Sequence, residues 1–335
     1  EKKGMLNIAI AGFGWWGRHI LTRLQGHDRL SVLAVAEPDQ SLHADIRAMG
    51  AEAVSGFDGV LSDPRVQAVV LTTPHMMHEE QVVAAARAGK HVFCEKPLAM
   101  TAASARCAVL ACREAGVVLG IGHELRFDPA MRRLKALVSA GDLGTIMHAE
   151  AAFSHNKLAG LPGDGWRTSK TMSPGAGMTG MGIHLTDLMI WLFGPVETVQ
   201  AQVRDRTLGW PTGDMVVAQL GFAAGNTAHF QAILNTPHYM RFAVFGADGW
   251  AEARYSSHPD TPGGQIEWSL CRKGGAPERE VLDWSDAVVS NLTAFAQAVT
   301  GRHDYPWSDA ELIGNIAVYE AIVQSSDSGE TVRLG

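Results

Sequence analysis

The chain has 335 residues, 46% of them apolar and 19% charged, which predicts about two domains with full cores and excludes a disordered chain. Its 28 Lys+Arg against 35 Asp+Glu leave a net charge of −7 with no basic run, so a nucleic-acid partner, which needs clustered cations against phosphates, is not expected. Cys94, Cys107, Cys112 and Cys271 show no CxxC spacing, so neither a zinc site nor a disulfide framework is predicted, and a reducing, cytoplasmic setting is expected.

The first residues lack the apolar core, roughly 7–15 residues long, of a secretory signal. Met5 reads as the native start, with residues 1–4 an addition. From residue 7 to 122, short apolar runs alternate with helical stretches. The runs at 8–11, 31–36, 68–71, 91–94 and 117–121 read as strands of a parallel sheet covered on both faces. Between them, Ile20, Leu21 and Leu24 share one helical face, residues 82–88 are alanine-rich, and residues 101–115 are mostly good helix formers halted by Gly116.

After Gly122 the pattern changes. Asp128-Pro129 supplies an N-cap and an N1 proline for a helix to about residue 140. Strand-like alternation then runs from 146 to about 282, clearest at 196–204, 214–222, 227–234, 241–245, 250–255 and 265–270. Residues 215–240 carry no formal charge, but Gln219, Asn226, His229, Gln231 and Asn235 interrupt them. They fall short of the about 20 mostly apolar residues of a membrane span, so two strands joined at Ala224-Gly225-Asn226 are predicted and no membrane partner. Helices at 286–299 and 309–324 and a strand at 331–334 complete the chain. The expected organisation is an α/β domain with a doubly wound parallel sheet over 5–123, then an α+β domain with a mostly antiparallel sheet over 124–335.

Gly12-Phe13-Gly14-Trp15-Trp16-Gly17 is a GxGxxG directly after the first strand and opening a helix. In that context Gly12 serves a tight turn, Gly14 admits a pyrophosphate to the backbone, and Gly17 lets helix and strand pack closely. The helix N-terminus then faces the phosphates with free N–H groups. Glu37 lies 20 residues beyond Gly17 at the end of the second strand, where an acid accepts hydrogen bonds from the adenosine ribose. A 2′-phosphate would meet a like charge there, and Pro38-Asp39-Gln40 offers no Arg to receive it, so NAD is expected rather than NADP. Of Trp15 and Trp16, one can cover the core while the other walls the nicotinamide side.

The segment from Gly89 to Ala99, with Glu95-Lys96-Pro97 after the fourth run, closely resembles the EKP motif of the Gfo/Idh/MocA oxidoreductases. Thr73-Pro74-His75-Met76-Met77-His78 resembles that family's TPxxxH segment, His123 to Pro129 its NxRFxP segment, and Gly175 to Asp187 its GxHxxD segment. The resemblance covers nearly the whole chain. It implies an NAD(P)-binding Rossmann domain, a second domain with a large open sheet, and substrate bound between that sheet and the nicotinamide. It further implies that Lys96 contacts substrate and nicotinamide ribose, that His184 is the acid/base, that Asp187 helps bind substrate, and that Pro97 follows a cis bond. Arg126, His155 and Trp166 are further candidates for substrate contact. Thr73, Pro74, His78 and Glu95 join Gly12, Phe13, Gly14, Trp15, Trp16, Glu37 and Lys96 as cofactor-binding candidates, although His78 also reads as a hydrogen bonder at a helix start. Arg167 reads as a structural partner.

The chemistry asks for the same residue types. Oxidising a secondary alcohol requires a proton acceptor on its oxygen; a histidine, with an unperturbed pKa of about 6.5, serves at neutral pH and is worth about 10²–10⁴ in rate. Lys96 can orient that oxygen and stabilise a developing alkoxide. His184 and Asp187, three apart in a predicted helix over 185–193, share one side. No third ligand accompanies them, so no metal is expected. One departure stands out: the family commonly has Asp four residues before this His, and here the position is Gly180, which leaves open whether His184 or Lys96 is the base. His75 and His123 also stand where Asn is common.

The leading expectation is an NAD-dependent dehydrogenase or reductase acting on a sugar, sugar derivative, cyclitol or related cyclic diol. The alternatives are an enzyme that uses bound NAD for transient redox during glycoside cleavage or elimination, and a non-catalytic regulator that binds dinucleotide and sugar. A homodimer or homotetramer is expected through the exposed sheet face.

Overall fold

A computed structural model describes residues 5–335, so the reading of residues 1–4 as an addition lies outside the described residues. The chain divides into two compact units. The first holds residues through His123 together with Val288–Ile313, and the second holds Glu124–Ala287 with Gly314–Gly335.

Among the described residues the first unit contains six strands: β1 (Leu6–Ala11), β2 (Leu30–Ala36), β3 (Glu52–Val54), β4 (Ala68–Leu71), β5 (His91–Cys94) and β6 (Leu119–Ile121). They pair in parallel in the order β3-β2-β1-β4-β5-β6. Residues of both orientations on β1 and β4 are buried, as continuous apolar runs require when both faces are covered. The helices between strands are α1 (Trp15–Arg23), α2 (His43–Ala48), α3 (Phe57–Leu61), α4 (His78–Arg87) and α5 (Ala102–Ala115). α5 is capped by the Thr101 hydroxyl on Ser104 N and stopped by Gly116 at φ +66°. β3, α2 and α3 were not anticipated, because three to six residues with half-exposed side chains leave too little periodicity to read. The strand order reverses between β1 and β4, which opens a crevice at their carboxyl ends where such sheets bind ligands.

The second unit contains α6 (Pro129–Ala140), β7 (Ile146–Ser154), α7 (Gly182–Phe193) and the strands β8 (Val196–Arg204), β9 (Met215–Phe222), β10 (Thr227–Ile233), β11 (Tyr239–Gly246), β12 (Gly249–Tyr255), β13 (Gln265–Arg272) and β14 (Glu278–Asp283). After α8 (Ala287–Val299) and α9 (Asp309–Ser328), β15 (Val332–Arg333) completes a nine-stranded sheet, ordered β14-β13-β12-β11-β7-β10-β9-β8-β15. Every pairing is antiparallel except β7 with β10. Alternation places Ala149, Val216, Leu220, Phe230 and Phe242 against the core, where α6 and α7 pack. The opposite face carries His148, Glu150, Gln219, His229, Arg241 and Glu252, all partly or fully exposed. Asp128 caps α6 through Ala130 N and Met131 N, and Gly141 ends it at φ +75°. α9 runs past residue 324 because Ser325 and Ser326 accept hydrogen bonds from Ala201 N and Val203 N of β8.

The segment 288–313 departs from the division at residue 123, which assigned it to the second domain. Leu292 and Phe295 are fully buried in the core of the first unit. Phe295 meets Phe93 edge-on with centroids 5.6 Å apart, and a Cβ on Gly120 of β6 would lie 2.8 Å from the Phe295 ring. Asn291 Nδ2 donates to Ile121 O at 2.8 Å, and Tyr305 OH donates to Asn291 Oδ1 at 2.7 Å. The apolar face left over β5 and β6 is thus covered by a helix from far along the chain. Among the described residues, no helix is long and apolar enough to cross a membrane.

Candidate active site

In the first unit, β1 ends in the glycine loop. Gly12 has φ +93°, in the region that favours glycine, and a Cβ there would press on Thr72 O at 3.1 Å. A Cβ on Gly17 would overlap Gly12 O and lie 2.8 Å from Thr72 Oγ1. Gly14, the N-cap residue of α1, has nothing within 4 Å of its Cβ position, and the helix begins with no side-chain cap and no acid in its first turn. The result is a bare, positively polarised helix start, open to an anion.

Glu37 closes the other side of this loop. Its Oε2 accepts from Phe13 N at 2.8 Å and its Oε1 from Asp39 N at 3.0 Å. Phe13 itself is core, 2% exposed, so it offers the loop its backbone and not its ring. The two tryptophans divide as the sequence allowed: Trp16 packs against the core while Trp15 is 66% exposed, with ring centroids 5.3 Å apart.

The loop after β4 carries Thr73 and Pro74, and Thr72 Oγ1 ties it to β1 by donating to Ala11 O and Gly12 O, each at 2.9 Å. His78, placed among the cofactor contacts by sequence, is fully buried, with Nδ1 2.6 Å from Pro97 O and Nε2 3.0 Å from Thr73 O. Burial pushes its imidazole pKa down. It therefore joins the Thr73 loop to the turn after β5 and leaves no ring atom for a ligand. In that turn the Lys96–Pro97 peptide is cis, Lys96 is half-buried, and Glu95 is buried with its carboxylate against Gly122.

In the second unit, a 3-10 turn at Glu124–Phe127 meets the first turns of α7. Arg126 Nε and Nη2 donate to Asp187 Oδ2 and Oδ1 at 2.8 and 2.7 Å, with both side chains nearly inaccessible. Both were expected at the substrate. Here they form a bidentate ion pair whose planar fork fixes the turn against the helix. Two residues before Arg126, Glu124 lies near His184: Oε1 stands 3.9 Å from Nε2, both side chains buried. Sequence reasoning missed Glu124. The signal was the absent carboxylate at Gly180, whose Cβ position makes only an ordinary 3.6 Å contact with Leu158; Glu124 supplies a carboxylate from another element.

Phe153 adjoins the same histidine, with centroids 6.4 Å apart, and links it to His155 at 5.7 Å and His258 at 5.3 Å. His155 is buried and accepts from Lys157 N, while His258 stands 3.3 Å from an Asp260 carboxylate oxygen. Trp166, in a 3-10 turn at Trp166–Thr168, is half-buried, with the Arg167 guanidinium 4.0 Å over its ring. The second unit thus gathers His184, Glu124, Arg126, Asp187 and His155 around α7 and β7, and the first gathers Gly12, Gly14, Glu37 and Thr73 around the carboxyl ends of β1, β2 and β4.

A parallel sheet with a bare-backbone glycine loop and an acid at the next strand end is the arrangement of a dinucleotide-binding domain, and residues 6–123 match the oxidoreductase family with an NAD-binding Rossmann fold. Residues 131–252 match the GFO/IDH/MocA C-terminal domain. The chain belongs to the Gfo/Idh/MocA oxidoreductase family. It is 28% identical over 320 residues to the 1,5-anhydro-D-fructose reductase of Ensifer adhaerens, covering 93% of this chain and 92% of that one. It is 26% identical over 306 residues to the scyllo-inositol 2-dehydrogenase (NADP(+)) of Bacillus subtilis, covering 85% and 83%. Its fold is similar to that of the aldose-aldose oxidoreductase of Caulobacter crescentus, with a TM-score of 0.86 at 24% identity over 98% of this chain and all of that one.

Proposed function

We propose that this enzyme moves a hydride between the nicotinamide of NAD and a secondary alcohol or ketone of a sugar, sugar derivative, cyclitol or related cyclic diol. The observation that carries the reading is a buried histidine, His184, with the buried Glu124 carboxylate 3.9 Å from its Nε2. The names of the anhydrofructose reductase and the inositol dehydrogenase support the substrate class.

The glycine loop fits a dinucleotide: Gly14 leaves its backbone open where a Cβ would point, and the α1 terminus faces the same space. Bound there, the nicotinamide supplies the hydride acceptor. Lys96 orients the reacting oxygen and stabilises the charge it develops. His184 takes the hydroxyl proton, and the nearby Glu124 carboxylate stabilises the resulting imidazolium. Read this way, Lys96 is the electrophile and His184 the base. Glu124 acts through His184 as a positioning residue. Its replacement by Gln is expected to lower kcat about 10-fold, leaving KM and NADH affinity within about 2-fold; a rise in KM with unchanged kcat would assign it to substrate binding instead.

Glu37 sets the cofactor. Its carboxylate, fixed by Phe13 N and Asp39 N, would face a 2′-phosphate with a like charge, and Arg18 is already paired with Asp45 at 3.0 Å. One unit-charge repulsion at about 4 Å amounts to about 1 kcal/mol in water and about 4 kcal/mol near a protein surface. NAD is therefore expected to be favoured over NADP by at least about 10-fold in kcat/KM, and Glu37→Ala to reduce that ratio towards unity. A wild-type preference for NADP in steady-state assays would contradict the role given to Glu37. A homodimer or homotetramer formed through the polar outer face of the nine-stranded sheet completes the proposal, with the oligomeric mass in solution as its check.

A further inference from the structure

His148 and Glu150 stand two residues apart on β7 and so project from the same side of the sheet, away from buried Ala149 and Ala151. β10 runs parallel beside β7, in a register that sets Thr227 against His148 and His229 against Glu150. One ligand atom from each of His148, Glu150 and His229 consequently lies within 4.8 Å of the others. His148 Nε2 and His229 Nδ1 are 3.2 Å apart. With zinc–nitrogen bonds of about 2.0–2.1 Å, a tetrahedral ion separates two imidazole nitrogens by about 3.3–3.4 Å, so the pair already stands at chelating distance.

The surroundings suit ligation. His148 Nδ1 lies 2.8 Å from Thr227 Oγ1, an outer-shell partner able to take the Nδ1 proton and leave Nε2 for an ion. Glu150 Oε2 accepts from Arg241 Nη1 at 2.8 Å, which holds the carboxylate in place and leaves Oε1 as a ligand position. Arg241 is also paired with Glu252, so these three side chains together carry one net negative charge.

We propose that His148, Glu150 and His229 form a binding site for one divalent transition-metal ion of the zinc type, with water completing the coordination. Two imidazoles and one carboxylate match the borderline softness of zinc. The ion would join β7 to β10, the parallel pair in mid-sheet, and takes no part in the hydride transfer proposed above.

The test uses full-length, tag-free protein stripped with a chelator and titrated with zinc chloride by calorimetry, with Co²⁺ absorption reporting the coordination. The expected result is one equivalent per chain, a melting temperature raised by zinc, and affinity reduced in both His148→Gln and His229→Gln by at least the roughly 10–100-fold that loss of an outer-shell partner costs. Circular dichroism establishes that the variants are folded. Stoichiometric binding that persists unchanged in the variants, or wild-type binding no tighter than that of either variant, overturns the proposal.

Discussion

Lys96→Ala is expected to lower kcat about 10³-fold while NADH still binds with near wild-type affinity. Removing one preorganised group from a developing oxyanion costs about 10²–10³ in kcat. Arg in its place would restore the charge with a planar fork where the site uses a point charge, so Lys96→Arg is expected to recover little. The loss should fall on kcat, because the glycine loop and Glu37, the groups proposed to hold the dinucleotide, are formed by other residues. NADH fluorescence titration and steady-state assays check both halves. A variant retaining more than a tenth of wild-type kcat would remove Lys96 from the chemistry.

Arg126→Ala is expected to destabilise the protein by about 3–5 kcal/mol, the usual cost of leaving one half of a buried ion pair unpaired. The pair is bidentate, with side chains 2% and 3% exposed, so water cannot take the place of the lost guanidinium. Asp187 would be left without its guanidinium partner between the 3-10 turn and α7. Replacing both partners with apolar residues of similar volume, Arg126→Met with Asp187→Leu, should recover most of that stability, because neither charge is then stranded. It should not recover activity, since the fork that anchors the turn carrying Glu124 is gone. Denaturant unfolding of the two variants, read with their kcat values, separates these roles. A cost below about 1 kcal/mol for Arg126→Ala would mean the pair is not what holds the turn.

Local signals in the sequence were reliable where the chemistry is local. Asp128-Pro129 and Gly141 bound α6 through a side-chain cap and a left-handed backbone, and alternation marked the strands from β8 to β13 because one face of each is buried. The start of α7 was read three residues late, at 185 instead of Gly182. Gly180 and Gly182 look like loop, whereas a Cβ on Gly182 would stand 2.5 Å from Met178 Sδ, a packing demand no pattern displays. The return of α8 to the first unit was illegible for a related reason: the cover that Phe295 gives Phe93 and Gly120 joins residues far apart in sequence.

The site was legible as a set of residue types but not as pairs. His184, Asp187 and Arg126 were each singled out, yet the ion pair joining two of them is a long-range contact that no local pattern displays. The missing carboxylate at Gly180 pointed to a gap in the acid/base set. Only the folded 3-10 turn places a carboxylate, that of Glu124, 3.9 Å from His184.

The most direct test of hydride transfer is the near-ultraviolet absorbance of reduced nicotinamide while the protein and NAD meet a panel of aldoses, sugar acids, inositols and anhydrosugars. The expected result is NADH accumulating in proportion to one class of oxidised secondary alcohol, and its loss in Lys96→Ala. Product formed with no free NADH, or no turnover across the panel by a protein that still binds NADH, would contradict a net dehydrogenase.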